Sequence, residues 1–189
     1  SGENDYSMRL TGYAQPYAES KRYLNTNDDK LYTRFRMRRL RLTLRGKSEK
    51  TKLGYRLKVD LSGTPEIGVE REDDQGSFLL DAFITYELND DIRLTFGQRS
   101  TSTDNRELKM PSQTLQLVER SRVTSAFSAI REFGLFVDGT YRIRGGSYLK
   151  PSLTVTNGDG RNIFGKDKGG LKYGGRLDFL PFGLFTYFG

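Results

Sequence analysis

The stretch RFRMRRLRLTLRGK, residues 34–47, holds the side chains best suited to chemistry. Arg39, Arg41 and Arg45 alternate with Leu40, Leu42 and Leu44, and Thr43 fills the remaining place on the arginine side. Successive side chains of a β-strand point to opposite faces, so the pattern gives one apolar face and one basic face. A guanidinium is permanently charged, and its planar fork of N–H donors matches the oxygens of a phosphate or carboxylate. What this pattern offers is recognition of anions.

Other chemistries are poorly supplied. The chain has no histidine and no cysteine. That removes the commonest general base, the commonest transition-metal ligand and any thiolate nucleophile or disulfide. Serines are frequent but have no ordinary base beside them. The glycine-rich stretches GDGRN and GKDKGG lack the spacing of a phosphate loop. Asp159 and Asp167 supply too few carboxylates for a Ca²⁺ loop, which needs about six oxygen ligands. The reading is of a protein that is not an enzyme and has no cofactor and no metal.

Eight segments show period-two alternation and must position the arginines. They run over 8–18, 32–45, 52–61, 78–88, 92–100, 132–144, 148–156 and 171–180. A tilted strand crosses a bilayer in about 9–11 residues, whereas strands in soluble sheets average nearer ~5–6. The apolar faces are consistent: Leu53, Tyr55, Leu57, Val59 and Leu61 in the third segment, and Leu80, Ala82, Ile84, Tyr86 and Leu88 in the fourth. Tyr and Phe gather towards segment ends, where an interfacial aromatic girdle would sit. Pro151 interrupts the pattern and marks either a bulge or a late start to the seventh segment.

Connections alternate between long and short along the chain. The segments 19–30, 62–77, 101–131 and 157–170 are long; GKSEKT, NDD, GGS and PFG are short. Transmembrane barrels have this asymmetry, with short periplasmic turns and long outer loops. The longest connection contains PSQTLQLVE, 111–119, a candidate short helix with Pro111 in its first turn. Hydrophobic content is 35% of 189 residues, and no window approaches the ~20 apolar residues of a membrane-spanning helix. The expected fold is all-β: an antiparallel transmembrane β-barrel of about eight to nine strands, one domain over 1–189.

The face opposite the apolar one is basic. It carries Arg39, Arg41, Arg45, Arg56, Lys58, Arg93, Arg99, Arg142, Arg144, Lys150, Lys172 and Arg176 against Asp60, Asp81, Glu87, Asp138 and Asp178. An eight-stranded barrel is just filled by its own side chains, and each uncompensated ion packed there costs several kcal/mol. A wider, wet lumen keeps such cations hydrated and attracts anions. Ladders of ion pairs with acids on neighbouring strands are the structural alternative, and the two can coexist.

Several blocks, in order, carry a resemblance: RMRRLRLTLRGK, YRLKVDLSG, LLDAFITYEL, RLTFGQ, VERS, REFGLFVDG and NGDGRN. They resemble the phosphate-selective porin O and P family of outer-membrane proteins. The resemblance implies a roughly sixteen-stranded, anion-favouring diffusion pore, often trimeric, in the bacterial outer membrane. Its basic strand corresponds to Arg39, Arg41 and Arg45, and its constricting loop to about 101–131, where Lys109 and Arg120 are candidates. The chain would then be the N-terminal half of a barrel, incomplete at its C-terminus and processed at Ser1. Its partners would be outer-membrane lipid, small anions such as phosphate, and copies of itself or other outer-membrane proteins. The alternative within this fold is a non-conducting barrel subunit of a larger outer-membrane complex. A single-strand nucleic-acid binder would place aromatics and arginines on one face; here the aromatics sit mostly with the aliphatics, opposite the arginines.

Overall fold

A computed structural model describes residues 5–22, 31–62, 79–101, 131–160, 162 and 169–183. The described strands form one antiparallel sheet: β1 (Tyr6–Arg22), β2 (Leu31–Ser48), β3 (Leu53–Asp60), β4 (Leu79–Glu87), β5 (Ile92–Arg99), β6 (Glu132–Gly139), β7 (Tyr141–Arg142), β8 (Tyr148–Thr156) and β9 (Lys172–Leu180). Strands follow one another in chain order, with β7 a short continuation of β6 beside β8. Among the described residues the sheet is open, with β1 and β9 at its edges. Short connections at 49–52, 88–91 and 143–147 gather at one end, where the Thr140 amide donates to the Asp91 carbonyl at 2.8 Å.

The two faces have separate characters. On the apolar face Leu42, Ile84, Leu135 and Leu153 are exposed by 40%, 56%, 44% and 60%. The only fully buried apolar side chains among the described residues are Leu80 and Phe136. A soluble β-sandwich buries this face against a second sheet about 10 Å away. All described strands belong to one sheet instead, so their apolar side chains meet no second layer. Burial in hydrocarbon suits such a face, and it is the arrangement of a barrel wall. Near the short-turn end Tyr6 and Tyr55 stack with ring centroids 6.4 Å apart and bond through their hydroxyls. Their rings overlie Gly46, where a Cβ would collide with Tyr55. Tyr86 and Tyr141 lie towards the same end of their strands, as an interfacial girdle requires.

Three expectations need correction. The sixth segment does not run unbroken to Arg144. β6 stops at Gly139, β7 holds only Tyr141 and Arg142, and Arg144 opens a single 3₁₀ turn. The pairs Asp138↔Ser152 and Tyr141↔Leu149 keep one register across the gap, and Pro151 of β8 lies opposite it. Pro151 thus marks neither a bulge nor a late start; β8 begins at Tyr148, and the missing proline N–H coincides with the break in its neighbour. Leu80 does not join the exposed face. The register shifts between Lys58 and Val59, because Lys58 pairs with Asp81 and Val59 with Leu79. The extra β4 residue is Leu80, and this bulge leaves it 1% exposed.

β1 and β2 run well past the reach of β3, whose pairing ends at Arg41↔Asp60. Beyond a second register shift at Gln15/Pro16 they form a two-stranded ribbon outside the wall proper. There Glu19 accepts from Lys21 at 2.8 Å and from Arg34 at 2.8 Å. These partners, Lys21 first, hold the Glu19 carboxyl down to about 2. A carboxyl lowered in this way favours the ribbon above the ordinary carboxylate range, and the gain disappears as pH falls through about 2. NMR titration at low salt should find Glu19 half-protonated near pH 2, moving up towards 4.5 when salt screens the pairs. On the wall itself, Leu42→Arg should destabilise the folded protein in bilayers by about 2–4 kcal/mol at midplane depth, read by reversible urea unfolding.

Candidate anion-binding face

The inner face is built in rows, because antiparallel partners share a face. Along β2, the residues Arg39, Arg41, Thr43, Arg45 and Lys47 stand opposite Gln15, Tyr13, Thr11, Arg9 and Ser7 of β1. On the other side Arg41, Thr43 and Arg45 stand opposite Asp60, Lys58 and Arg56 of β3. Further round the sheet Phe136 shares the inner face with small polar side chains. Thr95, Ser152, Thr154 and Thr156 are all buried.

Most of the cations read from sequence are engaged. Arg41 is 4% exposed; its Nε donates to Asp60 at 2.6 Å and its Nη1 to the Tyr13 hydroxyl at 3.2 Å. Arg39 donates to Gln15 Oε1 at 2.7 Å. Arg99 lies 5.0 Å over the Phe136 ring and reaches Asp138 at 2.8 Å. Arg93 pairs with Glu87 at 3.2 Å, and Arg176 with Asp178 at 2.6 Å. Lys58 stands opposite Asp81. Arg142 lies exposed in β7 beside the short turn, and Arg144 sits in that turn, off the wall. Lys109, Arg120 and the 111–119 helix lie outside the described residues. The structure therefore contains the ladder of ion pairs that sequence left as an alternative.

Sequence reading missed three bonded side chains and one unpaired arginine. Arg131, counted there with the long loop, is buried and donates to Asp81 at 2.9 Å, bridging from the start of β6 past β5 to β4. Asp81 also faces Arg56 at 3.4 Å. Glu132 is 2% exposed and takes Lys172 at 2.9 Å and the Thr156 hydroxyl. Gln98, fully buried, donates to the Leu80 carbonyl at 3.1 Å and accepts from the Asn162 amide at 2.7 Å, tying the 157–170 connection to the β4 bulge. Arg9 is the fourth, and its signal was legible: it occupies the polar side of the alternation in YSMRLTGYAQ. No sequence spacing announces the Arg131–Asp81 bridge.

The surplus of charge lies at the short-turn end. The side chains of Arg9 and Arg45 make no hydrogen bond or ion pair with any described residue, and the buried Arg56 Nε has no hydrogen bond but faces Asp81 at 3.4 Å. Together with Lys47, Arg93 and Glu87 they line a cleft of about 330 Å³. Breaking the buried centre should be costly. Asp81→Asn leaves Arg131 and Arg56 without their carboxylate and should cost about 3–5 kcal/mol in urea unfolding.

The family model described as phosphate-selective porin O and P matches residues 13–183, and the chain belongs to that family. It is an outer-membrane β-barrel porin by that membership. No curated protein matches the chain.

Proposed function

We propose that this sheet, as part of an outer-membrane porin, is the wall of a water-filled channel that passes small anions, phosphate among them, by passive diffusion. The observation that carries this reading is the imbalance of the inner face. Acidic side chains neutralise Arg41, Arg99, Arg131 and Arg176, yet Arg9 and Arg45 keep their charge uncompensated. Unpaired cations on a dry wall cost several kcal/mol each. Beside water they cost little and raise the local concentration of anions.

In this mechanism an anion exchanges part of its hydration shell for guanidinium and ammonium donors. Arg45, Arg56, Lys58 and Arg93 supply them on the wall, with Arg39, Arg99, Arg142 and Arg176 along the remaining inner face. Lys109 and Arg120 contribute from the long connection, as the resemblance implies. Each contact is weak enough to release the ion, so it moves between several sites. Arginines with acidic partners on other strands, such as Arg99 with Asp138, also hold the wall together, while Arg45 is committed to no acid.

Reconstitution of the purified porin in planar bilayers under a KCl gradient tests the reading. The reversal potential should lie towards the chloride equilibrium potential, and Arg45→Gln should move it several-fold in permeability ratio towards neutrality. Cation preference, or a folded and inserted barrel with no conductance, would overturn it. The second result would favour the non-conducting subunit.

A further inference from the structure

Direct cross-strand pairing places Arg9 opposite Arg45, and Arg45 opposite Arg56. Three arginines thus lie side by side in one row across β1, β2 and β3, all on the inner face. Directly opposed residues have Cα atoms only about 4.5–5.5 Å apart, and like charges in that position repel. The row ends at Phe83, opposite Arg56; the carboxylate that Arg56 faces, Asp81 at 3.4 Å, is shared with Arg131 at 2.9 Å. Glu87 is the one acidic side chain lining the cleft among the described residues, and Lys47 and Arg93 already hold it at 3.2 Å each.

We propose that this row is an oxyanion seat in which the bound anion is also the counterion that holds β1, β2 and β3 together. The proposal rests on the anion-channel reading but adds to it a structural role for the solute. A doubly charged tetrahedral oxyanion suits the seat best. Its oxygens can accept from several planar forks at once, and its charge offsets more of the repulsion than a halide does. Arg45, flanked by an arginine on each side, is the centre. Arg9, on one flank, has no acidic side-chain partner among the described residues, and Arg56, on the other, lines the same cleft while its buried Nε faces Asp81 at 3.4 Å. Removing a charge from the row has two opposite effects. It relieves repulsion in the empty sheet, and it removes the gain that an anion brings. Stabilisation by a ligand follows its occupancy of the folded state alone.

Thermal unfolding of the purified porin in detergent separates these effects, with inorganic phosphate, sulfate and chloride compared at equal ionic strength. The wild-type protein should melt several degrees higher in phosphate or sulfate than in chloride. Arg45→Gln should melt at or above the wild type in chloride and lose most of the oxyanion-dependent rise. Arg9→Gln should lose part of it. An equal rise in Arg45→Gln and wild type would overturn the proposal, as would a wild-type melting temperature indifferent to oxyanion. Because the reading is a stability, it is independent of conductance: a porin that conducts anions but fails this test retains its channel and loses only the seat.

Discussion

A β-strand has two faces, and in this protein each is made for a different solvent. Leu40, Leu42 and Leu44 alternate with Arg41, Thr43 and Arg45 along β2, so no rotation of the strand can hide both sets from one medium. The sheet solves this by keeping a single layer. Its apolar side chains remain about half exposed, and only Leu80 and Phe136 are fully buried apolar residues among those described. Most soluble domains draw their stability from the reverse arrangement, with apolar faces packed against each other. Here the hydrocarbon of a membrane takes the place of a second layer, and backbone pairing between neighbouring strands satisfies the polar groups that lipid cannot.

The charged face obeys a different constraint. Where the inner surface is closely packed, each cation has an acid: Arg131 with Asp81, Arg41 with Asp60, and Lys172 with Glu132. Those pairs bridge different strands and resist shear of the wall. Where the surface opens into the cleft near the short turns, Lys47 and Arg93 share Glu87, and the side chains of Arg9 and Arg45 have no acidic partner among the described residues. The buried cations Arg41 and Arg131 each have an acid, as electrostatics requires, since an unpaired ion is tolerable only beside water. A porin of a phosphate-selective family has use for charge left over in that way.

Most of the architecture was legible in the chain. Alternation located the described strands, though it ran β6 and β7 together, and the eighth, Tyr148–Thr156, matches its segment at both ends. Alternating short and long connections set the up-and-down order. What sequence could not show depends on neighbours. The break between β6 and β7 lies opposite a proline on another strand. Burial of Leu80 follows from a bulge whose position only the β3 register reveals. The same holds for the arginines. Read along β2, Arg39, Arg41 and Arg45 look equivalent, yet Arg39 meets Gln15, Arg41 is locked to Asp60, and Arg45 stands between two further arginines. Function follows rows across the sheet, and rows are set by register, which turns and bulges fix from outside any one strand.

The division into two solvents can be measured directly, since the chain has no cysteine of its own. Single cysteines would be placed at Leu44, Arg45, Arg56 and Leu57 in the protein reconstituted in lipid vesicles, then challenged with a membrane-impermeant thiol reagent. Positions 45 and 56 should label from water, while 44 and 57 stay protected and a fluorophore attached there is quenched by lipid-borne quenchers. Rapid aqueous labelling of 44 and 57, at the rate of 45 and 56, would contradict the account, because the apolar face would then meet water and the sheet would not be a membrane wall.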